Sequence, residues 1–458
     1  MAEHTVPVYK TIRALLEGKK YQTLKDVLGT MNPSDLAAVF EELDKDRIPL
    51  LFRLLPKELA AETFAELEPE AQELLIRGFS DSELREIINE LYVDDAADLV
   101  EEMPANVVKR ILAQADPQLR TEINQILRYP ENSAGSIMTT EYVSLRPSMT
   151  VGEAITRIRR TGVDKETIYT CYVTEARKLL GTVSVKDLLL ATDDSLPVSS
   201  IMDENVISVS TLTDQEAVAQ TLSKYNFLAL PVVDTGGLMV GIITFDDAMD
   251  VLVEETTEDI EKMAGMLPSE KAYLRSSPWE LFKHRIPWLA LLMVSATFTG
   301  MIITGFESAL AAQVVLTAFI PMLMDTGGNS GSQASVTVIR ALSLGELEFA
   351  DAPKVIWKEI QTAVLCGCAL AMLCFAKIML VDRIILGNTD ITTLTAFVVC
   401  FTMALTVLIA KMVGCSLPLG AKKLGFDPAV MASPFITTIV DALSLLVYFG
   451  IATALLFS

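Results

Sequence analysis

The chain has 458 residues and a formal net charge of -22 at pH 7. The charge is unevenly distributed, because residues 1–285 contain 49 acidic and 29 basic side chains, whereas residues 286–458 contain 10 acidic and 8 basic ones. A surface this acidic argues against nucleic-acid binding, which needs basic side chains, and favours cations as partners. We therefore expect a soluble acidic part followed by a membrane-embedded part.

The first predicted domain, residues 1–132, is a stack of short acidic helices. Apolar residues recur at the helical spacing of three and four, for example at Leu36 and Phe40. Prolines also recur regularly, as Pro56 and Pro69 do, and proline is tolerated at the start of a helix. This pattern predicts an α-helical solenoid. The first residues lack the apolar core of a signal peptide, so we expect this domain to stay in the cytosol.

Two α/β modules are predicted next, over residues 133–199 and 200–253. A Gly-x-x-x-x-x-Asp stretch at positions 181–187 recurs at 241–247, between alternating strand-like and helix-like segments. This repeat resembles tandem CBS modules, which are cytosolic regulatory units that often bind adenine nucleotides.

The same stretch marks a candidate nucleotide site in each module. In CBS modules it contacts a nucleotide ribose, and the matching residues here are Ser184 with Asp187 and Thr244 with Asp247. The alternative is that both hydroxyl groups only cap the helices that follow them. The two interpretations are compatible, so binding of ATP stays open at this point.

An acidic helix is predicted over residues 246–265, and it overlaps a connecting helix that we assign to residues 254–284. Glu255, Glu258 and Asp259 share one face of it because they are three and four residues apart. Like charges at this spacing destabilise a helix. We therefore expect a cation or a basic partner beside this face.

The last part of the chain, residues 285–458, is predicted to form a transmembrane domain of five helices, each long enough to cross a hydrocarbon core of about 30 Å. Basic residues flank alternate ends of the apolar runs, which places the N-terminal domains in the cytoplasm and the C-terminus outside it. The chain as a whole is thus predicted to be a multidomain membrane protein of the cell membrane. The five runs are residues 286–306, 308–339, 360–381, 391–410 and 430–457.

Two features of this domain suggest a cation pathway. Asp441 is the only charged residue after Asp427, and a carboxylate inside a membrane costs a few kcal/mol unless it meets water, an ion or a partner. Gly327, Gly328 and Asn329 lie in a polar, glycine-rich segment that permits close helix approach, a local break or a polar pore wall. The alternatives are a protonated structural carboxyl at Asp441 and simple small-residue packing at the glycines.

These segments, taken in order, resemble the MgtE-type magnesium channels. The resemblance rests on Thr-Gly-Gly-Asn-Ser-Gly-Ser-Gln at 326–333, Glu-Glu-Thr-Thr-Glu-Asp-Ile at 254–260, the CBS pair, the acidic helical domain and the late membrane aspartate Asp441. It implies a homodimer in which the second and fifth membrane helices surround a pore on the two-fold axis. There Asp441 would bind hydrated Mg²⁺ near the carbonyl groups of Gly327, Gly328 and Thr437.

The resemblance also implies cytosolic Mg²⁺ sensor sites, whose ions would bridge acidic lobes and close the pore when Mg²⁺ is abundant. Asn226 stands where the family often has an acid, which puts one sensor site in doubt. The residues that match sensor positions are Asp94, Asp95, Asp98, Asp214, Glu216, Asp247, Asp250, Glu255, Glu258 and Asp259, with Asp427 meeting the sensor below the pore.

We expect Mg²⁺ to be the counter-charge that docks the connecting helix beside Asp427, since its acidic face shows no base at the same spacing. The alternative is direct neutralisation by Lys422 and Lys423.

Three other functions stay open on the sequence. The first is a channel for another divalent cation, such as Mn²⁺, Co²⁺ or Ca²⁺, because oxygen ligands accept several hard ions. The second is a membrane-anchored nucleotide or metal sensor without transport. The third, an enzyme, is the least expected, because the chain has two histidines and neither a nucleophile elbow nor a Walker loop.

Overall fold

The protein, seen in a computed structural model, forms two compact units, Met1–Leu252 and Val253–Ser458. The structure describes residues 2–269, 273–274, 276–388, 390–431 and 433–456.

Ten helices open the first unit and share one apolar core that includes Leu36, Phe40 and Phe64. Pro69 occupies the first turn of its helix, and Ser80 caps the next one in a reciprocal capping box with Glu83. The predicted stack of short helices is confirmed. Its helices are α1 (Ala2–Glu17), α2 (Tyr21–Leu28), α3 (Pro33–Glu42), α4 (Ile48–Phe52), α5 (Lys57–Ala65), α6 (Pro69–Gly78), α7 (Asp81–Ile88), α8 (Val93–Glu102), α9 (Ala105–Gln114) and α10 (Pro117–Ile126).

Two three-stranded sheets follow, one in each predicted α/β module. In both, the middle strand pairs parallel with the first strand and antiparallel with the third, so the internal repeat of the sequence is also a repeat of topology. The elements are β1 (Tyr142–Leu145), α11 (Val151–Thr161), β2 (Thr167–Glu175), β3 (Lys178–Ser184), α12 (Val185–Leu190), β4 (Val209–Ser210), α13 (Gln215–Tyr225), β5 (Ala229–Val233) and β6 (Met239–Thr244).

The two modules pack directly on each other. Tyr172 of β2 is fully buried in one cluster with Met239 and Ile242 of β6. Backbone hydrogen bonds between Thr139 and Ile242 add to this contact. The pair of modules is therefore one packed body within the first unit.

The connecting helix is shorter than predicted. Helix α14 (Phe245–Met263) ends where Gly265 takes a φ of 71°, a left-handed conformation that favours glycine. The assignment of residues 254–284 to one helix is therefore wrong at its C-terminal end. Residues 270–272 and 275 of that range lie outside the described residues, and the next helix begins at Pro278, capped by Ser277.

The second unit continues with helices of the predicted membrane domain. Among the described residues, four spans are long and apolar enough to cross a membrane: Pro278–Gly305, Phe349–Ile385, Thr393–Leu424 and Pro434–Leu456. The helices are α15 (Pro278–Gly305), α16 (Glu307–Ala312), α17 (Ile320–Ser343), α18 (Ala352–Lys377), α19 (Thr393–Leu424) and α20 (Ser433–Leu456), and α18 continues as a π-helix over Ile378–Ile385.

Several predicted bounds of this domain are wrong. The run over residues 308–339 is not one helix, because the chain breaks at Gln313, and α17 has too many polar residues to count as an apolar span. The run over 391–410 ends too early, since α19 continues through Lys411, whose buried ammonium group lies 3.5 Å from the carboxylate of Glu359. Positions 432 and 457 of the last run lie outside the described residues.

Glycines let α17 pack closely against α19 and α20. Helix α17 is unbroken through its glycine-rich segment, so of the predicted alternatives the structure shows close approach and no local break. A Cβ at Gly331 would lie 3.0 Å from the Cγ2 atom of Ile436 in α20 and 3.2 Å from the carbonyl oxygen of Ala410 in α19. A Cβ at Gly414 of α19 would run into the backbone of Gly331.

Replacing Gly414 with alanine should therefore destabilise the membrane domain by about 1–3 kcal/mol, because the backbones must separate to admit the methyl group. The matched control is Gly420→Ala on the same helix, where nothing lies within 4 Å of the added Cβ. Thermal unfolding of both variants in detergent measures the difference. Equal unfolding temperatures would show that the two helices do not need this contact.

Candidate ion pathway and acidic cluster

Helices α17 and α20 bring three of the predicted pore residues together. A Cβ at Gly328 would lie 3.0 Å from the Cγ2 atom of Thr437 and 3.8 Å from Oδ1 of Asp441. The half-buried Asp441 side chain therefore lies beside the Gly328 backbone, where the absence of a side chain leaves room. Gly327 differs, because it packs against Thr406 of α19 and Ser444 of α20.

A polar stripe runs along α17 beside this site. Asp325, Asn329 and Gln333 are exposed and four residues apart, so they lie on one helix face. The amide nitrogen of Asn329 donates a hydrogen bond of 3.1 Å to Oδ1 of Asp325. Polar side chains on a membrane helix need water, an ion or a protein partner. Asp325 was not predicted as a site residue, although its spacing of four from Asn329 was a usable signal.

The first turn of α8 carries the centre of a second site, in the first unit. Asp94 is only 8% exposed, and its Oδ1 has no hydrogen-bond partner. Burial, followed by the nearby carboxylates of Asp247 and Asp95, raises the pKa of Asp94 well above its ordinary value. Burial beside Asp247 likewise raises the pKa of Asp95 to about 6. The predicted residues of α8 and Asp247 of α14 are therefore within electrostatic reach of each other.

Two further acids belong to this cluster and were missed by the sequence analysis. Glu141 precedes β1 and Glu166 precedes β2, and the amide of Glu166 donates a 3.0 Å hydrogen bond to the carbonyl of Glu141. The Oε2 atom of each is buried without a partner. Burial raises the pKa of Glu141 to about 7, partly offset by Lys165. Burial and the charge of Asp247 raise the pKa of Glu166 to about 8.

We call Asp94, Asp95, Glu141, Glu166 and Asp247 the acidic cluster. Its members come from the helical domain and from both α/β modules, and they are destabilised as carboxylates because they are crowded and withdrawn from water. Among the described residues, no three acidic side chains converge with metal-ligating geometry. The cluster is thus a place where protons or cations are favoured, without a preformed coordination shell.

The other predicted sensor residues lie at its edges or apart from it. Burial raises the pKa of Asp98 to about 7, although the residue as a whole is exposed, and Asp250 is also exposed. Asp214 caps α13 by accepting the amide of Glu216 at 2.9 Å. Asn226 ends the same helix with a φ of 53°, a left-handed conformation that asparagine tolerates well.

The two candidate nucleotide stretches have similar local geometry but different surroundings. The Ser184 hydroxyl donates to Asp187 at 2.5 Å, as the Thr244 hydroxyl does to Asp247. Ser184 also caps α12, so the capping alternative holds there. Asp187 is exposed, whereas Asp247 belongs to the acidic cluster. Of the two stretches, the one in the first module therefore has the more accessible carboxylate, that of Asp187.

The end of α14 has a base that the sequence analysis overlooked. Nζ of Lys262 lies 2.7 Å from Oε1 of Glu258 and 2.7 Å from Oδ2 of Asp427. The expectation that this helix face lacks a base is wrong, because Lys262 follows Glu258 by four residues. The two lysines considered as alternative counter-charges contact other groups: Lys422 donates to the carbonyl of Leu342, and Lys423 lies over the ring of Phe349. Asp259 accepts a 2.8 Å hydrogen bond from Ser343, and Glu255 is half-buried.

Comparison with known proteins covers nearly the whole chain. The model of the MgtE divalent cation transporters matches residues 320–451, that of the MgtE intracellular N domain residues 31–132, and that of the CBS domain residues 134–194 and 198–254. The magnesium transporter MgtE of Thermus thermophilus is 38% identical over 97% of both chains. That of Bacillus subtilis is 34% identical over 97% of this chain and 96% of its own.

The chain belongs to the MgtE family. Solved structures resemble its N-terminal half: the cytosolic domain of the Mg²⁺ channel MgtE in complex with ATP is 39% identical, with a TM-score of 0.51 over 53% of this chain and 99% of that one. The soluble part of a magnesium transporter is 29% identical, with a TM-score of 0.52 over 55% of this chain and 99% of that one.

Membership of the MgtE family confirms the predicted architecture of a multidomain membrane protein with a helical N-terminal domain, a CBS pair and a helical membrane part. The MgtE transporter match begins with α17 and ends inside α20, so it includes Gly328, Asn329 and Asp441. The MgtE N-domain match includes the α8 acids Asp94 and Asp95. The sequence matches therefore include residues of both candidate sites.

The raised pKa values predict how stability depends on pH. An acid whose folded-state pKa lies near 6 to 8 binds more protons folded than unfolded, so it favours the folded state at low pH and loses that contribution as the pH rises through its folded pKa. In chelator, the unfolding temperature of the first unit in the full-length protein should fall between pH 5 and pH 8. Fluorescence-monitored melting measures it.

The control is Glu141→Gln with Glu166→Gln, which removes two of the titrating groups and should flatten the dependence. Saturating Mg²⁺ should also flatten it, because a cation replaces the lost protons. If the melting temperature of the parent protein changed with neither pH nor Mg²⁺, the electrostatic account of the cluster would be contradicted.

Proposed function

We propose that this chain takes up Mg²⁺ across the cell membrane through a pore of a homodimer, and that cytosolic Mg²⁺ closes the pore. The observation that carries the proposal is the position of Asp441 beside the Gly328 backbone, next to the polar stripe of α17. Mg²⁺ is small and dehydrates reluctantly, so a carboxylate beside backbone carbonyl groups suits a hydrated ion. The names of its relatives, magnesium transporters, support the choice of ion.

A second copy of the chain supports this chemistry in two ways. One chain supplies a single Asp441 and leaves Asp325, Asn329 and Gln333 uncovered, whereas a two-fold axis beside α17 would pair the carboxylates and enclose the stripe. In the first unit, Leu189 and Leu190 are exposed apolar residues that a second copy would also cover.

The orientation follows from the distribution of bases. Lys354, Lys422 and Lys423 flank the ends of the membrane helices on the same side as the chain entering from α14, and bases favour the cytoplasmic side. We therefore place both N-terminal domains in the cytoplasm and the C-terminus outside it.

Gating by Mg²⁺ follows from the acidic cluster. At low Mg²⁺, Asp94, Asp247 and Glu166 stay close together only while they hold protons, and their ionisation loosens the contact between the helical domain and the α/β modules because the carboxylates repel one another. Bound Mg²⁺ would reverse the repulsion and shift the population toward the closed arrangement. Glu141, which no sequence motif indicated, joins the predicted ligands Asp95, Asp98 and Asp250 around this site. Sensor roles for Asp214, Glu216, Glu255, Glu258 and Asp259 stay predictions.

ATP is a proposed regulatory ligand. A related cytosolic domain has been solved in complex with ATP, and the exposed Asp187 beside Ser184 offers the hydroxyl-contacting group that the CBS resemblance implies. The corresponding Asp247 lies in the acidic cluster, so we place the nucleotide at the first module.

Transport of another divalent cation is the second candidate, since the matching family is described as divalent cation transporters. Uptake of Mg²⁺, Mn²⁺, Co²⁺ and Ca²⁺ into proteoliposomes, each alone and in competition, decides between them. Preference for one of the other three ions at equal concentration would replace Mg²⁺ in the proposal.

The first functional prediction concerns Asp441. Asp441→Ala should reduce Mg²⁺ uptake at least about tenfold, because the pore loses its paired carboxylates. Asp441→Asn keeps the shape without the charge and should conduct while losing the preference for divalent over monovalent cations. Asp351→Asn, at an exposed ion pair with Lys354, is the control and should leave uptake unchanged. Normal selectivity in Asp441→Ala would remove this residue from the pathway.

The second functional prediction concerns closure. Replacing Asp94, Asp95 and Asp98 together with asparagine should raise the Mg²⁺ concentration needed for closure by about tenfold, a usual size for coupling between sites. The maximal uptake rate should not change, because the pore residues are intact. A control in which Asp81, Glu86 and Glu90 of the helical domain become Asn or Gln keeps the charge change without touching the cluster. The same closing concentration in both triple variants would exclude the cluster from sensing.

A further inference from the structure

The last two turns of α14 are held against the membrane domain by side chains, within the second unit. Asp259 contacts Ser343 at the end of α17, and Lys262 contacts Asp427 in the turn between α19 and α20. Gly265 packs against Trp288 of α15 and Pro434 of α20. We call this contact the α14 joint. It connects the cytosolic chain with the helices that carry the candidate pathway.

Lys262 is the central charge of the joint. Its ammonium group is within 2.7 Å of both Glu258 and Asp427, and its side chain is 22% exposed. Both oxygens of Asp427 are engaged, since Oδ1 accepts the amide of Ala429 at 2.8 Å and Oδ2 accepts Lys262. Burial alone would lower the pKa of Lys262, but the hydrogen bonds from Lys262 to Asp427 and Glu258 raise it, so the lysine stays charged.

The joint would be repulsive without this lysine. Glu258, Asp259 and Asp427 then form a set of three carboxylates with which no other base of the described residues forms an ion pair, and burial already raises the pKa of Asp259. A divalent cation is one way to neutralise such a set, and a lysine on the helix itself is another. The lysine is covalently attached, so it is present at every Mg²⁺ concentration.

We infer that Lys262 is a tethered counter-ion that stabilises the closed α14 joint without a metal ion, as a positioning residue for Asp427. The inference rests on the proposed function for its regulatory meaning. Mg²⁺ then acts at the acidic cluster, and the lysine opposes opening of the joint at low Mg²⁺. The expected consequence is that in chelator α14 is better protected, and uptake slower, than either would be without the lysine.

The test compares three variants of the full-length protein in detergent by hydrogen exchange of residues 253–266. In chelator, Lys262→Met should speed amide exchange of this segment about fivefold, the size expected for losing partly exposed ion pairs. Lys262→Arg keeps the charge and should exchange like the parent. Lys354→Met, which removes an exposed lysine paired with Asp351, is the control and should also match the parent.

Magnesium provides the second arm. In Lys262→Met, saturating Mg²⁺ should restore slow exchange, because the exposed Glu258 and Asp427 carboxylates can then share a divalent cation. Fast exchange that Mg²⁺ leaves unchanged would show that Lys262 only packs the helix and would overturn the inference. Exchange equal to the parent in chelator would overturn it as well.

Uptake measurements separate this inference from the proposed function. In proteoliposomes at low Mg²⁺, Lys262→Met should take up Mg²⁺ faster than the parent and Lys262→Arg should not. A parent that transports no divalent cation, with the exchange pattern as expected, would contradict the proposed function and leave the tethered counter-ion standing. A parent that transports Mg²⁺, with no difference in exchange among the variants, would contradict the tethered counter-ion and leave the proposed function standing.

Discussion

The free energy of a carboxylate that is withdrawn from water is the constraint on which both candidate sites depend. Asp94 in the first unit is 8% exposed with an unpartnered oxygen, and Asp441 in the second is half-buried inside a membrane helix. Neither position suits an ionised side chain by itself. Each is tolerated if a proton, a cation or a second chain completes the site, and this requirement connects the fold to cation chemistry.

Glycine supplies the complementary constraint in the membrane part. Gly331 and Gly414 let α17 and α19 approach so closely that a methyl group would not fit, while Gly328 leaves the space that Asp441 and Thr437 border. The polar stripe of α17 can then face away from its neighbours without weakening the bundle, since the opposite face is packed by backbone contact. One face of α17 is thus closely packed through its glycines, and the opposite face exposes the polar stripe.

The sequence predicted what depends on local pattern and missed what depends on tertiary contact. The repeat of topology in the α/β modules and the stack of short helices follow from periodic apolar residues, prolines and duplicated motifs. Glu141 and Glu166 were not predicted because they are 25 residues apart and belong to no motif. Only the pairing of the strands that follow them brings them together. The acidic helix predicted over residues 246–265 agrees closely with α14, whereas the connecting helix assigned as far as residue 284 is interrupted by Gly265 in a left-handed conformation.

Lys262 shows how a single base changes the function that an acidic motif predicts. The acids of α14 resemble a cation site when they are considered without their neighbours, yet Lys262 already neutralises the pair formed by Glu258 and Asp427. Among the described residues, the charges that shift the pKa of Asp94 are the carboxylates of Asp247, Asp95 and Glu166. A divalent cation therefore gains more by binding the acidic cluster than by displacing the lysine, because displacement must first break two ion pairs. Under the function proposed above, the dependence on cytosolic cation should then reside in the cluster and not in the pair that Lys262 neutralises.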